Sequence, residues 1–321
     1  MPDFHMQVFR HLEEVPENFG PTVVSIGNFD GVHRAHQSVL REVVGRARQL
    51  RGHAMAMTFD PHPTHILRPD RNLKLISPTP VKLQLLEQTG IDGVLLLPFS
   101  RDLSMMSPRE FVEEILVNKL HAKEVHEGYN FHFGHKAAGN AHVLAELGQE
   151  FGFDVVTYPE MTLRKEKVSS TEVRRLIAEG NVSKARHLLG RVFSIHSTPG
   201  RGRGYGHKYT VPTINLSRYD DLVPKNGVYI TRSRIGDVCF DSVTNVGVRP
   251  TFGPESFAIE SHMLNFHPIE LQAETPVELF FLKWIRPEMK FPTVDDLRAQ
   301  IAKDVHKARR FFHHLEKRES K

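Results

Sequence analysis

The 321-residue sequence contains a single cysteine, Cys239. One cysteine cannot form an internal disulfide, which excludes a disulfide scaffold and favours a reducing compartment. The longest apolar run, near residues 94–99, is too short to span a bilayer, and the acidic first twenty residues lack the apolar segment of a signal peptide. We therefore expect a cytoplasmic protein with no membrane partner.

The chain also has little excess of charge of either sign, because 42 Lys and Arg residues against 38 Asp and Glu residues leave a net charge of +4. This excess is too small to require nucleic acid as a partner, whereas it suits small anions such as nucleotides. The first apolar strand is followed by neither a GxGxxG nor a P-loop pattern, which argues against a dehydrogenase. The sequence leaves the oligomeric state open.

The hydrophobic pattern changes near residue 190, and we expect two domains, 1–189 and 190–321. The first half alternates apolar strands with amphipathic helices, which predicts a mostly parallel α/β sheet. The second half has short, alternating β-rich runs before a closing helix, which predicts a small antiparallel barrel or sandwich. The predicted strands are 22–26, 54–59, 94–98, 125–128, 154–158, 228–235, 238–246, 258–266 and 276–284. The predicted helices are 34–50, 80–88, 107–119, 142–151, 170–179, 182–189 and one that opens at 293. Ser107 is the predicted N-cap of the third helix, with Pro108 as its first residue. Leu297, Ile301, Val305 and Phe312 lie close to one stripe of the last helix.

Two histidines, His33 and His36, stand at the start of the first helix, directly after the turn that contains Asn28 and Asp30. Residues three apart share one side of a helical turn, and a helix N-terminus offers free N–H groups, so the pair could hold phosphates. A helix cap or a metal site are the alternatives, although a metal would need a third ligand.

A second group with phosphate-binding character lies at the start of a later helix. Ser170 and Thr171 supply hydroxyl groups there, and Arg174 supplies a cation one turn further on. Serine caps are common, but a capping serine does not require an arginine at this spacing. Two phosphate-binding groups on one α/β sheet indicate a nucleotidylyltransferase better than a dehydrogenase.

At this point the chain resembles the bacterial bifunctional riboflavin kinase/FAD synthetase family. GNFDGVHRAH resembles that family's form of the HxGH motif, and four further segments follow in the family's order: 58–63 (TFDPHP), 128–134 (GYNFHFG), 168–174 (VSSTEVR) and 188–191 (LLGR). The resemblance implies a nucleotidyltransferase-type, Rossmann-like domain followed by a β-barrel domain with a C-terminal helix. It also implies riboflavin, FMN and ATP as substrates and Mg²⁺ as the cofactor.

For the first half, the resemblance implies adenylyl transfer from ATP to FMN, with release of pyrophosphate. His33 and His36 would be catalytic groups on the ATP phosphates. The implied binding residues are Asn28, Asp30, Ser170, Thr171, Arg174, Asn130, Phe59, Pro61 and Pro63. Phe59 could equally be an ordinary core residue. Ala35 replaces the glycine of HxGH, and His132 and Lys136 stand where the family often has arginines.

For the second half, the resemblance implies phosphorylation of riboflavin. Glu260 would be the base for the riboflavin 5′-hydroxyl, and Thr213 and Asn215, in a PTIN segment that resembles PTAN, would be oxygen ligands of Mg²⁺. The implied binding residues are Gly202, Gly204, Asn245 and Arg249. Thr210 and Val211 replace a glycine and an aromatic residue of the family.

These departures leave one alternative open. The chain could be a single-activity FMN adenylyltransferase whose C-terminal domain binds flavin without kinase activity. A protein that binds nucleic acid through its Gly/Arg-rich stretch is the other alternative, although the basic footprint is weak for that role.

Overall fold

The strands of the first half form one parallel sheet in the computed structural model, which describes residues 5–200, 212–217, 219–248 and 257–319. This sheet lies in the first of two compact units, Met1–Glu172 and Val173–Lys321. Its strand order is β1-β4-β3-β2-β5-β8. The strands of the sheet are β1 (Gln7–Phe9), β2 (Thr22–Ile26), β3 (His53–Phe59), β4 (Gly93–Leu97), β5 (Ala122–Gly128) and β8 (Asp154–Tyr158). The short strand β1 was not predicted.

Helices cover both faces of the sheet, because consecutive residues of its central strands are apolar and point to opposite faces. Val23 and Ala54 pack with the apolar side of the helix that follows β2, whereas Val24 and Met55 pack on the opposite face. The helices of this unit are α1 (Arg34–Gln49), α2 (Pro63–Leu67), α3 (Thr79–Glu87), α4 (Arg101–Met105), α5 (Pro108–Glu110) and α6 (Ala141–Phe151). Two small hairpins complete the unit: β6 (His132–Phe133) with β7 (Gly139–Asn140), and β9 (Thr162–Leu163) with β10 (Glu166–Lys167).

The predicted helix 107–119 differs from expectation in its geometry. Ser107 caps it and Pro108 opens it as expected, but after α5 the chain continues as a π-helix, Phe111–Val117. Its hydrogen bonds span five residues, as from Asn118 N–H to the carbonyl of Glu113. The wider turn is rare and local side-chain patterns do not announce it.

The second unit is built on a curled antiparallel sheet, in the order β11-β16-β13-β14-β15-β12. Beyond the two edge strands the chain pairs once more, through a bridge between Pro199 and Leu216 and a hydrogen bond from Gly200 N–H to the carbonyl of Asn215. The sheet therefore curls towards closure, as a barrel requires. The strands are β11 (Phe193–Ser197), β12 (Thr213–Asn215), β13 (Gly227–Ile235), β14 (Val238–Val248), β15 (Phe257–Met263) and β16 (Val277–Arg286).

Three helices accompany this sheet: α7 (Ser170–Ala178), α8 (Val182–Leu189) and the closing helix α9 (Val294–Glu319). Helix α9 packs through Ala308 and Phe312 against Ile230 and Leu264. Leu297 and Ile301, which the sequence placed close to the same stripe, are 39% and 45% exposed. No described helix combines the length and apolar character that a membrane span needs.

The interior of the curled sheet contains hydroxyl groups in contact with one another. Thr231 bonds Ser242 and Thr244 at 2.8 and 2.6 Å, and Ser261 accepts from Thr244 at 2.9 Å. All four side chains are fully buried. Because every hydroxyl can both donate and accept, the cluster satisfies its own hydrogen bonds in the interior.

Candidate active sites

A cavity of about 1070 Å³ opens at the carboxyl ends of the parallel strands of the first unit. In open α/β sheets this edge is where ligands bind, next to the point at which the strand order reverses. Seven of the predicted site residues line the cavity: Asn28, His33, His36, Phe59, Pro63, Asn130 and Ser170. The volume is at the upper end of the range for small-molecule sites.

The loop between β2 and α1 has a strained backbone. Phe29 and Val32 adopt positive φ angles of 46° and 37°, as does Gly31 at 79°. Left-handed backbone is costly for a branched residue such as Val32, and such strain persists where the surroundings enforce it, often at functional sites. Here Phe29 and Val32 are buried at 2% and 1% exposure, which holds the loop in this shape.

Asp30 holds the same loop from inside. Its buried carboxylate accepts hydrogen bonds from Ile76 N–H at 2.9 Å and Ser77 N–H at 3.0 Å, and its own carbonyl accepts from the Ser170 hydroxyl at 2.8 Å. Asp30 and Thr171 are not among the residues that line the cavity. These hydrogen bonds tie the loop to residues 76, 77 and 170 and so fix its conformation. Direct contact of Asp30 with a substrate stays a prediction.

His33 and His36 lie at the N-terminus of α1 with their rings stacked, 3.6 Å between centroids. His33 caps the helix by accepting from His36 N–H at 3.4 Å, so the cap alternative is correct for this ring nitrogen. Burial, and then the neighbouring His33, lower the pKa of His36 well below its usual value. His36 Nδ1 is buried and has no hydrogen-bond partner within the described residues. The pair thus places two imidazole rings at the N-terminus of α1, and burial favours the neutral form of His36.

An apolar wall forms one side of the cavity. Phe59, at the end of β3, meets Phe99 edge to face at 5.5 Å, and Pro63, Leu67 and Leu103 extend the same wall. Phe59 is half-buried and packs against the core as well. Both interpretations of Phe59 are thus compatible, since one face packs inward and the rest borders the cavity. Pro61 is not among the lining residues.

Further residues line the cavity that were not predicted from the sequence. Tyr129 is 49% exposed, and its hydroxyl donates to Glu160 at 2.8 Å. Lys167 pairs with the same carboxylate and lies 5.8 Å from the Tyr129 ring centroid. Glu127 lies in the floor of the cavity. Glu127 stands among other charged residues of β5 (AKEVHEG), so the sequence carries no signal that singles it out. The Tyr129 contacts depend on Glu160 and Lys167, which lie 31 and 38 positions further along the chain.

In the second unit, three predicted residues form a row across neighbouring strands. Glu260 on β15 pairs in register with Asn215 on β12 and with Asn245 on β14. Directly paired residues of antiparallel strands point to the same face, so these three side chains lie side by side. All three are half-buried.

Thr213 lies two residues before Asn215, so both side chains are on one face of β12. The Thr213 hydroxyl is 3.2 Å from His262 Nδ1. Burial lowers the pKa of His262, the charge of Glu260 opposes that shift, and Arg309 adds to it. A neutral imidazole, a hydroxyl, two amides and a carboxylate thus share this face.

The carboxylate of Glu288 lies close to Gly247 on β14, the strand that also holds Asn245. A Cβ placed on Gly247 would collide with the Glu288 carboxylate. A larger residue at Gly247 would make the Glu288 carboxylate move, which the far end of an exposed, flexible side chain can do. Nearby, Arg286 binds the buried Asp304 carboxylate at 2.9 and 2.8 Å.

Three predicted binding residues, Gly202, Gly204 and Arg249, lie outside the described residues. Arg174 lies on α7 and is half-buried. The ligand roles of all these residues stay predictions.

Comparison with known proteins gives matches over both halves. The FAD synthetase family profile matches residues 15–172, and the riboflavin kinase profile matches residues 189–312. A bifunctional riboflavin kinase/FMN adenylyltransferase from Haemophilus influenzae is 33% identical over 96% of this chain and 99% of its own length. The Escherichia coli K12 protein of the same name is 32% identical over 94% and 96%.

Among solved structures, a chain described as a macrolide-efflux protein from Streptococcus pneumoniae is similar, with a TM-score of 0.82 and 27% identity. The likeness covers 95% of this chain and 98% of that one.

Proposed function

This chain belongs to the family of bifunctional riboflavin kinase/FMN adenylyltransferases, and from that premise we propose which of its residues carry each reaction. It is an enzyme with two ATP-using activities: phosphorylation of riboflavin to FMN, and adenylylation of FMN to FAD with release of pyrophosphate. The single-activity alternative is not favoured, because the riboflavin kinase profile matches alongside the FAD synthetase profile.

We assign adenylyl transfer to the cavity of the first unit. The observation that supports it is the stacked pair His33 and His36 at the N-terminus of α1, next to the strained loop. Helix N–H groups and imidazole donors stabilise charge on the phosphates during transfer. The FMN phosphate is already ionised at neutral pH, so its attack on the α-phosphorus needs positioning rather than a base. The wall around Phe59 suits the flavin ring.

We assign riboflavin phosphorylation to the row of Asn215, Glu260 and Asn245 in the second unit. Glu260 would accept the proton of the riboflavin 5′-hydroxyl as that oxygen attacks the γ-phosphorus and ADP leaves. The half-buried amides on either side would keep the carboxylate in place. Thr213 and Asn215 supply neutral oxygen donors from one face of β12, which fits a hard cation. Mg²⁺, when bound there, would neutralise charge on the ATP phosphates.

We keep residues 1–189 and 190–321 as the proposed functional domains. The compact units instead divide after Glu172, and the two family profiles leave residues 173–188 between them. Helices α7 and α8 are the segment in question, and Lys225 N–H donates to the carbonyl of Ile177 within the second unit. The cytoplasm stays the proposed compartment, on the ground of the single cysteine.

The adenylyl-transfer assignment is tested by incubating His36→Ala with riboflavin, ATP and Mg²⁺ and separating the flavins. We expect FMN to accumulate with no FAD, because His36 acts only in the first unit. His142→Ala, which changes an exposed histidine on α6, is the matched control and should form FAD normally. Unchanged FAD formation by His36→Ala contradicts the assignment.

The kinase assignment is tested with Glu260→Gln, which keeps the shape of the side chain and removes its basicity. FMN formation from riboflavin should stop, whereas supplied FMN should still become FAD. Glu270→Gln changes an exposed carboxylate of the same unit and serves as the control. Persistent phosphorylation of riboflavin by Glu260→Gln would refute its role as the base.

A further inference from the structure

The strand order of the first unit reverses between β2 and β5. The two strands pair in register only from Thr22 with Ala122 to Val24 with Val125. Beyond these pairs lies the crevice in which ligands of open α/β sheets bind. Gly27 N–H bonds the carbonyl of Met57 on β3, so the N–H of the preceding residue, Ile26, points to the β5 side.

Glu127 is the hydrogen-bond partner of that N–H group. Its carboxyl accepts a hydrogen bond from Ile26 N–H across the crevice, where the backbone pairing of β2 and β5 has ended. Glu127 is only 3% exposed, and it lines the cavity together with Ile26 and Gly27. The carboxyl group therefore forms part of the cavity floor at the point where the strands diverge.

The protonation state of this carboxyl follows from its surroundings. Burial raises the pKa of Glu127 well above its usual value, and only the hydrogen bond from Ile26 opposes that shift. Among the described residues, no positively charged side chain contributes to stabilising its ionised form. A buried carboxyl group that has one N–H partner and no cation beside it in the described part of the chain favours the neutral form, in which its carbonyl oxygen accepts from Ile26 N–H and its hydroxyl is a donor.

We propose that Glu127 is a neutral hydrogen-bond donor to a substrate phosphate oxygen in the crevice between β2 and β5. A carboxylate at the floor of this cavity would repel the phosphates of FMN and ATP, whereas a carboxylic acid donates to them. The inference rests on the assignment of adenylyl transfer to this cavity. It adds a donor that neither the HxGH-like motif nor the helix N-termini supply.

Other titratable groups surround the same cavity and must be separated from Glu127. Strand β2 brings none, because Thr22–Ile26 contains no ionisable side chain. The other titratable groups that line the cavity are His33, His36, Arg68, Arg101, Tyr129, His132, His135, Lys136, Tyr158, Glu160 and Lys167. These groups are present in the wild type and in every Glu127 variant. A difference between the pH profiles of the wild type and a variant therefore reports on Glu127.

The test measures kcat/KM for FAD formation from FMN and ATP between pH 6 and 10 in wild type, Glu127→Gln and Glu127→Met. Glutamine keeps the acceptor for Ile26 N–H and an N–H donor, and it does not ionise. We expect Glu127→Gln to retain at least about a third of wild-type activity at pH 7. Wild-type activity should fall at alkaline pH, by up to about tenfold per pH unit, as Glu127 ionises, whereas Glu127→Gln should lack that decline. Glu127→Met should lose at least about tenfold at every pH.

Two controls separate a local effect from misfolding. Riboflavin kinase activity of each variant reports on the second unit, and thermal unfolding followed by circular dichroism shows whether the first unit is still folded. Glu124→Gln changes an acid on the opposite face of β5 that is 4% exposed and does not line the cavity, so it should keep the wild-type alkaline decline.

Three results would overturn the inference. A loss of more than about tenfold in Glu127→Gln at pH 7 would mean that the charged carboxylate is required, as for a metal ligand or a base. Wild-type behaviour of Glu127→Met would mean that the group has no role in transfer. An alkaline decline preserved in Glu127→Gln would assign it to another residue. A wild type that phosphorylates riboflavin yet never adenylylates FMN would instead contradict the proposed function itself.

Discussion

The stability of the second unit should depend on the protonation of one histidine, His196 on β11. Its Nε2 atom lies 3.0 Å from the Glu278 carboxylate on the paired strand β16, and its side chain is 30% exposed. Burial, and then the charges of Arg234 and Arg191, lower the pKa of His196 to about 4. The Glu278 carboxylate does not reverse this shift, because Arg234 already pairs with it.

The sign and size of the effect follow from linkage. The unfolded chain takes up the proton near pH 6.5, whereas the folded unit does so only near pH 4, so the unfolded chain binds more protons between these values. The free energy of unfolding therefore falls as the pH is lowered from about 6.5, and it levels off below about 4. At pH 5 the full shift corresponds to a loss of ~2 kcal/mol, and partial exposure of the ring reduces this to roughly 1–2 kcal/mol.

Urea unfolding followed by tryptophan fluorescence measures this loss. Trp284 is the one tryptophan of the chain and lies on β16, so its emission reports on the second unit. His196→Gln stays neutral at every pH, and the comparison between pH 7.5 and pH 5 removes the contributions of carboxylates common to both proteins. Wild type should lose about 1–2 kcal/mol more than His196→Gln. Equal losses in the two proteins would refute the assignment of the shift to His196.

Two further predictions concern packing and charge. Arg286→Leu leaves the Asp304 carboxylate, which is 2% exposed, without its cation, so it should lower the free energy of unfolding of the second unit by about 3–5 kcal/mol by Trp284 fluorescence. Arg298→Leu removes only an exposed pair and should change it by less than about 0.5 kcal/mol, and equal effects would contradict the argument. Gly45→Ala on α1 should stabilise the first unit by about 0.5–1 kcal/mol, because the added Cβ meets no atom within 4 Å. Gly148→Ala on α6 should destabilise it, since the Cβ would lie 2.6 Å from the Phe153 carbonyl, and calorimetry that gave both changes the same sign would refute this reasoning.

Much of the fold was predictable from local patterns. Apolar runs of five residues between amphipathic helices indicate parallel strands buried on both faces, and β2, β4 and β8 lie within a residue of their predicted bounds. The change to alternating runs after residue 190 indicates the antiparallel sheet. The N-cap of the helix at Ser107 was also correct, because Ser followed by Pro is a local signal. The π-helix that follows it was not predicted.

The candidate sites were predictable to different degrees. His33 and His36 adjoin one turn, so their proximity follows from the chain itself, and their stacking confirms it. Asp30 stands in the same turn, yet its carboxylate binds backbone groups of residues 76 and 77, more than forty positions away. A motif therefore located the loop, but it could not say which side chains of the loop face the cavity.

The sequence by itself determined the period of each segment, the division into an α/β part and a β-rich part, and the residues that cap and open helix α1, because these depend on neighbours within one or two turns of chain. Only the tertiary structure decided which strands pair. Pairing places Asn215, Glu260 and Asn245 side by side although β12, β14 and β15 are separate in sequence. Pairing also buries Glu127 where β2 and β5 diverge. Register and burial set what each group touches and the protonation state it keeps, and both arise from contacts between distant parts of the chain.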